Sequence, residues 1–286
     1  MTKDEFSANW LALREPADHR ARNASVRDAA MQLFAGKNVA RLVDLGCGSG
    51  SNLRALASYL PPVQYWRLVD HDPALLNAAR EALIAWADHA EPTADGGLSL
   101  RKRQLSIDVA FVGADLSGDL NKVLDPAVDL VTAAAFFDLV AVPWIAHFCA
   151  ALTARRLPLY AVLTYDGVET WVPPHPEDAA MRAAFHAHQA GDKGFGTAAG
   201  PTAITALTQA FGLGGWKITT GSSPWQLGAA DSELIAMLAE GSAKAVADTG
   251  LVAPSRIEDW LASRRAANAC EISHADFLAV PILAGT

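Results

Sequence analysis

The chain reads as an α/β fold with a doubly wound, mostly parallel sheet, and three observations predict it. Short apolar runs alternate with helical patterns from residue 39 to about 220, an acid and three alternating glycines close the first run, and a second acid closes the next. In such a sheet the ligand lies at the carboxyl ends of the strands. The strands are expected at 41–45, 64–69, 109–113, 128–133, 159–164, 216–220 and 274–280.

The first strand runs into Asp44, Gly46, Gly48 and Gly50, and a helix follows whose apolar face is Leu53, Leu56, Ala57 and Leu60. Glycines here give the backbone positive φ and remove the Cβ atoms, so main chain approaches a ligand closely. A phosphate-binding loop needs Gly-Lys-Ser/Thr, but Ser51 and Asn52 follow Gly50. A dinucleotide site needs a third Gly or Ala where Ser51 stands, and Asp44 repels a pyrophosphate while suiting the ammonium of an amino acid. An ordinary tight turn is the remaining alternative.

At Asp44, Gly46, Gly48 and Gly50 the chain resembles the class I S-adenosylmethionine (SAM) methyltransferases, whose first motif is acidic-x-Gly-x-Gly-x-Gly. The resemblance covers about two-thirds of the chain. It implies a Rossmann-like sheet of seven strands with the last antiparallel, SAM as cofactor, and methyl transfer as the activity. It also implies that Cys47 belongs to the cofactor turn.

Asp70 ends the second strand about 20 residues past the glycines, where an acid accepts ribose hydroxyls, or else caps the next helix. His71 follows it, and Asp72 and Pro73 open a helix with Leu75, Leu76, Ala79, Leu83 and Trp86 inward. In the family this sequence resembles, Asp115 takes the adenine amino group and the backbone of Leu116 meets the ring; the alternative is a solvated loop acid. Ala133 and Ala134 leave room for the methionine part of the cofactor, and Phe136 and Phe137 either wall off the sulfonium or pack the core. In 10–31, Arg20 or Arg22 is placed to pair with the SAM carboxylate, or else faces solvent.

Composition narrows the partners. At 286 residues, 51% hydrophobic and 19% charged, the chain buries a large core, and its net charge of −8 disfavours nucleic acid and anionic membranes. The start lacks an apolar signal core and the longest apolar stretch, 139–154, is too short to span a bilayer, so cytoplasm is the expected location. Cys47, Cys149 and Cys270 are odd in number and widely spaced, which suggests neither disulfides nor zinc.

We read 1–286 as one methyltransferase domain. It divides into an N-terminal helical cap (1–38), a SAM-binding core (39–164), a lid (165–200), further core (201–220), a helical insertion (221–272) and a last strand with tail (273–286). The insertion reads as helices at 231–247 and from a capping box at Ser255 and Glu258. The lid carries Tyr165, Asp166, His175, His186, His188 and Lys193 among glycines, the composition of a functional loop; its histidines match no metal spacing. Asp138, Tyr165 and His186 are the candidate catalytic groups, because methyl transfer to neutral oxygen or nitrogen releases a proton. No Asn/Asp-Pro-Pro-aromatic or Pro-Cys motif follows the fourth strand, so adenine-amine, glutamine-amide and cytosine C5 acceptors are disfavoured. A small-molecule acceptor is expected, with a protein or tRNA acceptor, or a non-catalytic SAM-binding role, as alternatives; the oligomeric state is not readable.

Overall fold

The computed structural model describes residues 7–282 except 125, 126, 193 and 213. Its strands, in chain order, are β1 (Val39–Leu45), β2 (Val63–Asp70), β3 (His89–Pro92), β4 (Leu98–Lys102), β5 (Leu105–Gly113), β6 (Leu130–Ala134), β7 (Leu159–Val172), β8 (Trp216–Ser222), β9 (Trp225–Leu227) and β10 (Ala269–Pro281). Its helices are α1 (Ala8–Ala21), α2 (Ala24–Met31), α3 (Ser51–Leu56), α4 (Pro73–Trp86), α5 (Leu120–Val123), α6 (Val142–Arg155), α7 (Asp178–Gln189), α8 (Ala203–Phe211), α9 (Ser232–Thr249) and α10 (Pro254–Arg265).

The sheet order is β3-β4-β5-β2-β1-β6-β7-β10-β8, with β9 pairing β10 off the path. From β5 through β2, β1 and β6 to β7 every pairing is parallel, and β10 runs antiparallel between β7 and β8. The doubly wound, mostly parallel sheet that alternation predicts is therefore present. β1 and β6 stand side by side at its centre, so the turns that follow them open at the same edge.

Each face of the sheet carries its own core. Val43, Leu45, Val69 and Val131 pack against α5, α6 and α8, while Leu42, Leu68 and Trp66 pack against α2, α3 and α4. Helix α4 begins as the sequence predicts: Asp72 caps it by accepting from the Ala74 N–H at 2.8 Å, and Pro73 sits in the first turn, where its missing N–H costs nothing. Leu75, Ala79 and Leu83 form its buried stripe.

Several elements differ from expectation. An edge hairpin, β3 and β4, precedes β5; His-Ala-Glu-Pro is too polar to read as a strand, and it forms because β4 pairs it antiparallel along its whole length. Helix α3 stops at Leu56 and continues as a 3-10 turn over Ala57–Tyr59, because Pro61 and Pro62 prevent extension. The fifth strand does not end at residue 164. β7 runs on to Val172, so the expected lid is strand over 165–172, paired to β10 from Ala269 onward. The capping box at Ser255 does not form: Pro254 takes the first helical position, Ala253 becomes the N-cap, and Ser255 lies inside α10.

The lid and the helical insertion pack together rather than as separate additions. Met181 and Ala184 of α7 join Leu234, Ile235 and Ala239 of α9, Ile257 and Trp260 of α10, and Trp225 of β9 in a third apolar cluster. Ala17 of α1 belongs to the same cluster, so the N-terminal helix is held between this layer and the sheet edge. No helix among the described residues is long and apolar enough to cross a membrane.

Candidate active site

The turn after β1 uses three left-handed residues in five positions: Gly46 at φ +59°, Gly48 at +52° and Gly50 at +74°. An L side chain in that region costs roughly 1–2 kcal/mol, which is why glycine occupies it. Space is also short: a Cβ on Gly46 would stand 2.7 Å from the Phe136 ring, and one on Gly48 2.9 Å from Leu11. Both obstacles are walls of a cavity of about 490 Å³ lying against the turn.

Asp44 lines this cavity and is only 1% exposed. Its Oδ1 accepts from the Asn52 amide at 2.7 Å, and the same amide reaches Thr132 Oγ1 at 2.9 Å, so α3, β1 and β6 are tied behind the turn. Its Oδ2 has no hydrogen-bond partner. Burial pushes the Asp44 carboxyl up to about 7, against the opposing pull of the Asn52 amide and the Arg22 charge. Arg22, also on the wall, donates from Nη1 to Asn52 Oδ1 at 2.7 Å and leaves its buried Nε without a partner. An unpartnered carboxylate oxygen and an unpartnered guanidinium N–H on one wall are complementary to the ammonium and carboxylate of an amino acid.

Asp70 closes β2 on the same wall, 5% exposed. Oδ2 accepts the Gly48 N–H and Oδ1 the Asp72 N–H, each at 3.0 Å. A carboxylate offers about four acceptor sites, so two stay available for ligand hydroxyls. Because Asp72 takes the cap of α4, Asp70 is not needed there. Buried Cys47 lies on the wall, its thiol pushed well up by burial and by the fields of Asp44 and Asp70, so it stays protonated. His71 is also on the wall, mostly exposed.

Past β5, Asp115 and Leu116 line the cavity. Asp115 is exposed and held below the usual carboxylate range by the Ser117 hydroxyl and N–H. Leu116 is buried, and its carbonyl accepts from Trp144 Nε1 at 2.9 Å, fixing the loop. At the end of β6, Ala134 and the following Ala135 line the cavity while Ala133 is buried in the sheet core. The two phenylalanines divide: Phe136 is on the wall, and Phe137 packs inward against Phe148.

Helix α1 forms the roof. His19 Nε2 lies 3.0 Å from Ser51 Oγ, and Arg54 donates from Nε to Glu15 at 2.8 Å, clamping α1 to α3. Arg20 does not reach the cavity: it points outward to Asp231 at 2.6 Å. Arg14 and Asp18, which face inward one turn apart, do. They form a two-bond ion pair at 3.0 and 3.1 Å, Trp225 Nε1 donates to Asp18 at 3.0 Å, and the guanidinium lies 4.8 Å from the Trp225 ring centre. Asp18 was detectable only as the i+4 partner of Arg14. Asn52 had no motif to announce it.

None of the expected catalytic groups Asp138, Tyr165 and His186 lines the cavity; Asp138 directly precedes the wall residue Leu139 in sequence. Asp138 Oδ2 accepts from Gln189 at 3.2 Å, and Tyr165 Oη lies 3.0 Å from His186 Nε2. His186 and Gln189 are i and i+3 on α7, so one helix face serves both contacts. Burial pushes Asp138 up to about 6 and raises Tyr165; burial and Arg182 lower His186. His175 turns to Asp259 and His188 to Asp248, away from His186. Lys193 lies outside the described residues; Gly194 and Phe195 beside it are on the cavity wall.

No protein-family model and no curated protein matches the sequence. Solved structures that match include a cyclopropane-fatty-acyl-phospholipid synthase-like protein from Lactobacillus casei (16% identity, 93% of this chain and 91% of that one, TM-score 0.49). A SAM-dependent methyltransferase from Geobacter sulfurreducens in complex with S-adenosyl-L-homocysteine also matches (15%, 96% and 98%, 0.43). So does a geranyl diphosphate C-methyltransferase from Streptomyces coelicolor (13%, 90% and 76%, 0.41).

Proposed function

We propose that the chain is a SAM-dependent methyltransferase acting on oxygen or nitrogen of a small molecule. The observation that carries this reading is the buried, unpartnered Asp44 Oδ2 and Arg22 Nε on the wall of a glycine-floored cavity that also holds Asp70. A zwitterionic amino acid joined to a ribose satisfies all three groups, whereas a pyrophosphate would face two carboxylates.

SAM supplies an electrophilic methyl group on a sulfonium. Asp44 and Arg22 hold the amino-acid end, Asp70 the ribose hydroxyls, and Asp115 with the Leu116 main chain the adenine. Ala134 and Ala135 leave room beside the glycine turn, and Phe136 keeps water from the reacting centre. In-line displacement mainly requires a positioned acceptor, and the acceptor proton needs a base. Asp138, raised to about 6, is ionised at neutral pH yet basic enough to take it, with Gln189 orienting its carboxyl. His186 keeps a neutral ring against the Tyr165 hydroxyl and positions it.

Calorimetry with S-adenosylhomocysteine and NAD tests the reading. The first should bind and the second should not; NAD binding without S-adenosylhomocysteine binding would overturn it.

A further inference from the structure

Buried polar atoms without partners are costly, and the hydrogen-bonded pair Asp138 and Gln189 carries one on each side chain. Asp138 Oδ1, Gln189 Oε1 and His274 Nδ1 belong to side chains no more than 8% exposed, and none has a partner. An unmet buried group is unfavourable, so a bonded pair that carries two of them is a candidate ligand site. Their position is fixed by neighbours. In sequence Asp138 directly precedes the wall residue Leu139, and Gln189 bonds it; His274 faces Tyr165 across β10 and β7, ring centres 6.2 Å apart. Arg14, a residue of the cavity wall, carries a charge that acts on both Asp138 and His274.

Resting on the methyltransferase reading, we propose that Asp138 and Gln189 form the acceptor subsite, and that it takes a neutral molecule presenting hydroxyl groups from an apolar body. The two oxygens left unmet are both acceptors, since Gln189 spends its N–H on Asp138. They call for hydrogen donors on the ligand. An anionic acceptor is disfavoured because Arg14 is already neutralised by two bonds to Asp18, and Arg182 on α7 turns to the Glu169 carbonyl at 3.3 Å. An anion would face the Asp138 carboxyl with no unpaired described cation at hand. The neighbouring walls, Phe136, Leu139 and Phe195, are apolar, with Phe136 and Phe195 edge to face at 6.1 Å. In the reaction a C–O bond forms as the C–S bond breaks, the thioether leaves neutral, and the hydroxyl proton passes to Asp138.

Protein saturated with S-adenosylhomocysteine is titrated with catechol, benzoate, benzylamine and toluene. Catechol should bind, and each of Asp138→Leu and Gln189→Leu should weaken it at least tenfold while S-adenosylhomocysteine affinity stays within about threefold. Using both variants guards against one failing to fold. With SAM in place of the product, mass spectrometry should find a methyl ether of catechol only with Asp138 intact. Benzoate, benzylamine or toluene binding as tightly as catechol, or catechol affinity unmoved in either folded variant, overturns the proposal. If S-adenosylhomocysteine does not bind, the cofactor reading fails by itself, and catechol titrated into the protein alone still decides the subsite: Asp138-dependent binding supports it and absence of binding overturns it.

Discussion

At the scale of single residues, each role follows from an unmet bond or a missing Cβ. Asp70 holds the glycine turn through the Gly48 N–H, and in the proposed reading its remaining lone pairs take the ribose hydroxyls. Asp70→Ala should therefore weaken S-adenosylhomocysteine binding by about 1.5–3 kcal/mol, roughly 10–150-fold, since hydrogen bonds to a charged group are worth that much. Titration calorimetry checks this, and an unchanged affinity would remove Asp70 from the site. Gly48→Val should abolish binding, because its Cβ stands 2.9 Å from Leu11 and the residue sits at φ +52°. Circular dichroism should still report a folded chain, since the clash is with the roof rather than the core. The residues easiest to read in the sequence were those whose chemistry is local. The glycines, Asp44, and the Asp72-Pro73 helix start announce themselves within a few positions. Arg20 lies in the last turn of α1 and Arg22 is the C-cap just past it, where the backbone has left the helix, so only packing decides that Arg22 turns inward.

At the scale of elements, sequence reasoning found strands and helices with strong periodicity and lost those stabilised from elsewhere. The extension of β7 through Tyr165 to Val172 is polar and half exposed, and it is a strand because β10 pairs it. Trp225 bonds Asp18 across 207 positions of sequence, a contact that no local pattern encodes. The consequence is that the expected lid is strand to Val172, a short connection over 173–177, helix α7 and then loop, and in the last part Asp192 accepts from the Gly194 and Gly196 N–H groups while Phe195 stands on the cavity wall. Hydrogen exchange should separate two responses. S-adenosylhomocysteine alone should slow exchange in α1, its roof, and protection of 190–200 should require an acceptor as well. Equal protection of both segments by S-adenosylhomocysteine alone would contradict this division.

At the scale of the whole molecule, the site is built at a cost to stability that depends on pH. Burial raises Asp44 and Glu169 to about 7 and Asp138 to about 6. In the unfolded chain these acids lose their protons near pH 4, whereas the folded chain keeps them until pH 6–7. Between those limits the native state binds more protons, so stability falls as pH rises, by about 1.4 kcal/mol for each unit of raised pKa. Thermal denaturation between pH 4.5 and 7.5 should show this decline, and S-adenosylhomocysteine should reduce it by placing an ammonium against Asp44. A rising profile would contradict the assigned burial. The central claim is that Asp44, Arg22 and Asp70 together recognise SAM, and a crystal structure of the S-adenosylhomocysteine complex tests it most directly. The account predicts the ligand ammonium on Asp44 Oδ2, its carboxylate on Arg22 and its ribose hydroxyls on Asp70; density for the ligand anywhere else, or in this cavity with the adenine against Asp44, would contradict it.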